Sequence, residues 1–95
     1  MITIKKPVEF QWDQGNQNKN IKKHHIINSE AEQIFYDHNK KILKDSLHSN
    51  KEKRYIILGT TKTNKELFIV FTQRGKKIRI ISARKLNKKE HKLLK

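Results

Sequence analysis

ELFIVFTQRGKKIRIISAR, running from Glu66 to Arg84, holds the reading on which the fold turns. Two β-rich runs, Glu66 to Arg74 and Lys77 to Arg84, stand on either side of Gly75, a residue that readily adopts the backbone a tight hairpin requires. A third β-rich run, Arg54 to Thr60, precedes them across the short connection Lys62, Thr63, Asn64 and Lys65. Connections this short join strands that run in opposite directions, so the three runs form an antiparallel meander. In the last of them Ile78, Ile80 and Ser82 alternate with Arg79, Ile81 and Ala83, which places an arginine where a hydrophobe is expected. That face of the sheet is therefore either solvated or functional.

Upstream of the meander, Asp37 to Lys53 is a charged segment with room for a strand at Lys41 to Lys44 and an exposed loop through His48, Ser49 and Asn50. Ser29 with Glu32 three residues on is a capping box, and Ala31, Ile34 and Phe35 supply one buried stripe, so a helix is expected near residues 30 to 38. Asp13 offers an N-cap for a more polar helix over Gln14 to Lys23, weakened by Gly15. Val8, Phe10 and Trp12 alternate with Glu9 and Gln11 and read as a first short strand. Downstream, Asn87 with Glu90 repeats the capping arrangement and starts a terminal helix to Leu94 that packs Leu86, Leu93 and Leu94. The fold class is α+β: a small antiparallel sheet, made of the C-terminal meander plus one or two N-terminal or edge strands, packed with two N-terminal helices and a C-terminal helix. No internal repeat or linker interrupts it, so residues 1–95 read as one domain.

The chain has 95 residues, 32 of them apolar, which is enough for a single two-layer core and excludes a large metabolic enzyme fold. Cysteine is absent, which removes disulfides, thiolate metal sites and cysteine nucleophiles together. The longest apolar runs, Tyr55 to Leu58 and Leu67 to Phe71, fall far short of the roughly 20 residues of a membrane span. Nothing in Met1 to Lys6 directs export, so the expected location is the cytoplasm. Residues 1–38 hold five basic and five acidic side chains, whereas residues 39–95 hold 18 basic and four acidic, so the whole formal charge of +14 lies in the second part. Such a density attracts polyanions: nucleic acid, an anionic membrane or an acidic protein. An AT-rich coding sequence would account for the 19 Lys, but not for the four Arg.

Those four, Arg54, Arg74, Arg79 and Arg84, all fall in or at the ends of strands, where each is either a solvated strand end or part of a shared patch whose membership depends on register. A guanidinium fork matches the geometry of a phosphate and keeps its charge at every accessible pH. His24 and His25 can exchange protons near neutrality, yet they stand where the first helix should end and can equally cap its last carbonyls. Glu52 and Arg54, two apart at a strand start, share a face either as a surface ion pair or as a carboxylate placed to take a proton beside a phosphate. Trp12 and Tyr55 suit base stacking but sit in apolar patterns and read more naturally as core. The histidines are scattered and no carboxylate cluster accompanies them, so neither a metal nor a cofactor is expected.

Taken together, the sequence resembles the BrnT family of ribonuclease toxins of bacterial type II toxin–antitoxin systems. The resemblance rests on Phe10, Trp12 and Asp13 as FxWD, on Asn20, Lys23 and His24 as NxxKH, and on Glu52, Arg54, Tyr55 and Gly59. It continues through Thr72, Arg74 and Gly75, the RIISAR string from Arg79 to Arg84, and Glu90. Asn16, where the family usually has Lys, His25 in place of Gly, and Leu93 and Leu94 where a Tyr is common, depart from the pattern without touching the four arginines. The resemblance implies a fold similar to RelE toxins, an endoribonuclease that inhibits translation and growth, and neutralisation by a BrnA-like antitoxin with a ribbon-helix-helix segment. That antitoxin would carry the contact to operator DNA and repress the operon as a complex with the toxin, expected to be a heterotetramer.

The expected chemistry is metal-independent cleavage of single-stranded RNA. The ribose 2′-hydroxyl attacks the adjacent phosphate, with Glu52 or His24 as acid/base group and Arg54, Arg74, Arg79 and Arg84 as an electrostatic clamp. Lys23, Lys76, Lys77 and Lys85 are the expected RNA-binding lysines. The alternative is a basic module that binds nucleic acid or antitoxin without turnover.

Overall fold

A computed structural model describes residues 9–12, 26–45 and 53–94. Its elements are β1 (Glu9–Gln11), α1 (Asn28–Ile34), β2 (Lys41–Lys44), β3 (Tyr55–Thr60), β4 (Glu66–Arg74), β5 (Lys77–Lys85) and α2 (Lys88–Leu94). The five strands form one sheet in the order β1-β5-β4-β3-β2.

The meander is antiparallel as expected, with β2 added antiparallel to β3 at one edge. The sheet as a whole is mixed rather than antiparallel, because β1 pairs parallel to β5, with Phe10 beside Ile78 and Gln11 beside Arg79. A three-residue strand separated from its partner by most of the chain carries no local mark of direction, so this pairing is decided by where the chain returns. The β4–β5 hairpin closes over Gly75 and Lys76, and Gly75 has φ +60, the positive value that a two-residue hairpin needs at its first position.

One face of the sheet carries Ile57, Leu67, Ile69, Phe71, Ile78, Ile80 and Ala83, which pack with Ile26, Ala31, Ile34 and Phe35 into the core. Phe35 sits edge-on to Phe71 at 5.0 Å and to Phe10 at 5.2 Å. The predicted stripe Ala31, Ile34 and Phe35 is fully buried, but α1 begins and ends earlier than its expected span of 30 to 38. Ile27 occupies the N-cap and Glu30 Oε1 accepts its amide hydrogen at 3.1 Å, so the box residue is Glu30 in place of Glu32. Glu32 instead accepts a hydrogen bond from the Trp12 indole, 2.8 Å, tying β1 to α1 and placing Trp12 against the core. After Ile34 the chain tightens, with Tyr36 N donating to Gln33 O and Asp37 N to Ile34 O. Asp37 then accepts from Thr60 N at 2.8 Å, fixing the helix end to β3.

At that junction Gly59 is required by packing: a Cβ there would stand 2.8 Å from Ile34 Cγ2 and 3.0 Å from Asp37 Oδ2. The capping box of α2 forms as read from sequence, Glu90 N donating to Asn87 Oδ1 at 2.9 Å and Asn87 N to Glu90 Oε1 at 3.0 Å. Its expected apolar packing does not follow. Leu86 is buried, whereas Leu93 is 46% exposed and no residue of α2 is buried. The expected helix over Gln14 to Lys23 and the loop through His48, Ser49 and Asn50 lie outside the described residues.

Candidate nucleic-acid interface

Register decides which arginines share a face. Thr72 lies opposite Arg79, Arg74 opposite Lys77, Val70 opposite Ser82 and Phe68 opposite Arg84. Opposed residues in a ladder point to the same side, so Arg74, Lys77, Arg79, Ser82 and Arg84 all stand on the face that α1 does not cover. A β-bulge makes this possible. The pairs Val70–Ser82 and Phe71–Ile80 leave Ile81 as an extra residue in β5, so alternation resets and Ala83, not Ser82, joins Ile78 and Ile80 in the core. Unbroken alternation would have placed Arg79 with Ala83 and Arg84 on the opposite face.

Arg74 and Arg79 are diagonal neighbours across β4 and β5, about 7–8 Å apart by ladder geometry. Arg54 lies one residue before β3, and Asp45 N donates to its carbonyl at 2.9 Å, which extends the β2–β3 ladder to it. One step beyond the Tyr55–Phe71 pair, that position has the parity of Ile56 and faces Thr72, two strands or about 10 Å from Arg79. Three of the four predicted arginines therefore gather at the Arg74 end of the sheet.

Arg84 stands apart. Thr72 and Phe68 are four residues apart on β4, so Arg84 lies about 14 Å along the sheet from Arg79. Its two terminal nitrogens donate to the two carboxylate oxygens of Glu90, each at 2.7 Å, and its guanidinium lies 3.9 Å from the centroid of the Phe68 ring. The hydrogen bonds from Arg84 hold the Glu90 carboxyl below its usual range, and Glu90 in turn raises the pKa of Arg84. Together with the approach of His91 Nδ1 to Glu66 Oε1, 3.0 Å, this pair ties α2 to the Glu66–Arg84 end of that sheet face.

Of the expected RNA-binding lysines, Lys76 is exposed in the hairpin turn and Lys77 is exposed beside Arg74. Lys85 falls on the opposite face, opposite Leu67, where its charge acts on Glu30. His24, Glu52 and Lys23 lie outside the described residues. Neighbours that the sequence reading did not select are Gln11 beside Arg79 and Glu9 beside Lys77; Thr72, quoted there only as a motif residue, is buried between the Arg54 and Arg79 positions. The alternation of Phe10 and Trp12 with Glu9 and Gln11 already showed which side chains leave the core; only the parallel pairing shows what they meet. Among the described residues no three His, Cys, Asp or Glu side chains are grouped so as to hold a metal ion. Nor is any helix there long and apolar enough to cross a membrane.

A five-stranded mixed sheet with α1 on one face, arginines of separate strands on the other and α2 tied to its Arg84 end defines a small α+β protein with a basic sheet face. The chain belongs to the BrnT family: the family model described as the ribonuclease toxin BrnT of type II toxin–antitoxin systems matches residues 12–90. Membership in a type II system implies an antitoxin partner. The crystal structure of the Brucella abortus ribonuclease toxin BrnT is similar in fold, with a TM-score of 0.64 and 19% identity over 85% of this chain and 99% of that one. Comparison with curated proteins gave no match.

Proposed function

We propose that this chain is an endoribonuclease toxin that cleaves single-stranded RNA at the arginine group of the sheet face, using its own side chains rather than a metal. The observation that carries the reading is the register that sets Arg74 diagonally beside Arg79, with the Arg54 position facing the same Thr72. Attack of a ribose 2′-hydroxyl on the adjacent phosphate forms a P–O2′ bond and breaks the P–O5′ bond, leaving a 2′,3′-cyclic phosphate and a protonated 5′-hydroxyl. Negative charge gathers on the phosphate oxygens meanwhile, and fixed guanidinium groups stabilise it without reorganising. Glu52 or His24 is the proposed acid/base group, and Lys76 and Lys77 carry the strand toward the cluster. Arg84 has a different part. It lies about 14 Å from Arg79 and is bonded to Glu90, so it anchors α2 at the other end of the face, and the clamp consists of the grouped Arg54, Arg74 and Arg79.

Neutralisation by a BrnA-like antitoxin, repression of the operon by the complex, a heterotetrameric assembly, a RelE-like placement of the site and action in the cytoplasm complete the proposal. They rest on the family and on the sequence motifs quoted above. The test is incubation of the purified chain with single-stranded RNA in excess chelator. Fragments that disappear on Arg79→Ala support the reading. A mobility shift without fragments identifies a binding module instead, and fragments only when divalent ions are restored overturn the metal-free step.

A further inference from the structure

β2 is an edge strand of an unusual kind. Among the described residues nothing pairs with its outer side, and the sheet order ends with it. The hydrogen bond from Asp45 N to Arg54 O fixes the phase of the β2–β3 ladder, so that Leu43 and Lys41 bond inward to β3 while the amides and carbonyls of Ile42 and Lys44 point outward. The side chains are as distinctive. Leu43 is 43% exposed on the arginine-bearing face, and Lys41 and Lys44 are exposed on either side of it. Lys53 is exposed nearby, whereas Asp45, which follows β2, is buried.

Lysines on an edge are a known guard against pairing with a second copy, because two such strands would set like charges opposite each other. The same lysines favour an acidic strand, and the exposed Leu43 gives such a strand an apolar side chain to cover. The opposite edge offers less: β1 is three residues long and carries Glu9. We propose that the outer edge of β2 is the docking strand for an extended acidic segment of the antitoxin, which adds a sixth strand to the sheet through Ile42 and Lys44. Because the end of β2 bonds to Arg54, a segment laid along this edge runs up to the arginine group and is placed to shield it. The inference uses the antitoxin partnership of the family and does not depend on RNA cleavage.

The decisive variant is Lys44→Pro, which removes an outward N–H and leaves every inward bond of the β2–β3 ladder in place. Affinity for a BrnA-like antitoxin is measured by calorimetry, together with thermal melting and RNA cleavage by the free toxin. The expected result is a loss of affinity of tenfold or more with melting and cleavage close to those of the parent. The double variant Lys41→Glu, Lys44→Glu should lose more, and the loss should shrink in high salt. Hydrogen exchange on the unmodified complex gives a readout that needs no variant: the amides of Ile42 and Lys44 should slow on binding. Antitoxin affinity of both variants within twofold of the parent, with no slowing at these amides, overturns the proposal. So does sedimentation showing that the free chain dimerises through this edge, or loss of RNA affinity alone. Failure of the parent chain to cleave RNA would sink the proposed function and leave these binding results interpretable.

Discussion

A guanidinium at position 79 offers a planar fork, and the fork rather than the charge is what a phosphate engages bidentately. Arg79→Ala is expected to lower RNA cleavage by about 10² to 10³ fold, the effect of removing one preorganised donor from a developing anion. Arg79→Lys keeps the charge and should recover only a small part of that loss, as read from single-turnover cleavage rates. Arg84 behaves differently because it lies about 14 Å from Arg79, with both of its terminal nitrogens on Glu90. Arg84→Ala should reduce stability by about 1 kcal/mol through the bidentate pair and its packing on Phe68, as measured by urea unfolding. Its effect on cleavage should be smaller than that of Arg79→Ala; an equal effect would return Arg84 to the clamp. Gly59→Ala tests the packing of α1 on β3, since the added methyl meets Ile34 at 2.8 Å. It should cost about 1–3 kcal/mol, the range of an overpacked site.

Among the elements, α2 is held by polar contacts at its N-terminal half, with no buried side chain of its own. Its stability on the sheet therefore depends on the Asn87–Glu90 box and on the Glu90–Arg84 pair. Asn87→Ala should lower the unfolding free energy by about 1 kcal/mol, the usual effect of a lost N-cap. The same carboxylate makes the element acid-sensitive. Glu90, bonded by Arg84, and Glu30, bonded by Lys65 at 2.7 Å, both have pKa values lowered from the ordinary 4.5. A group whose folded pKa is depressed contributes stability that is fully present above its unfolded value and is lost as pH falls through the folded one. Unfolding midpoints should thus be flat above the ordinary carboxylate range and fall below it, and Glu90→Gln should flatten that acid limb. An unchanged limb would show that the pair contributes nothing to acid stability.

On the scale of the whole molecule, the charge of +14 sits almost entirely in the part of the chain that builds β2 to α2. RNA affinity should fall with salt at a log–log slope of about −0.7 for each phosphate neutralised on a single strand. Removing Arg74 should make that slope shallower by roughly one such increment, as measured by fluorescence titration across salt concentrations. Lys41 of the β2 edge and the arginine group share one face of the sheet, so one acidic partner laid there would oppose both.

Local chemistry made much of this legible in the amino-acid order. The spans of β2 and β4, the Gly75 hairpin, the Asn87–Glu90 cap and the buried stripe of α1 depend on residues close in sequence, and their periodicity and turn preferences are written there. The RIISAR string and its companions also named the family. Three features needed the folded chain: the parallel docking of β1, the bulge at Ile81 that carries Arg84 to the face of Arg79, and the capture of Arg84 by Glu90. A strand's alternation can be read from sequence, but an inserted residue that resets it is stabilised only by the partner strand and by the core it fills with Ala83. For that reason the arginines were visible as candidates in the sequence, and their division into a three-member group and a helix-holding pair was settled only by the tertiary structure.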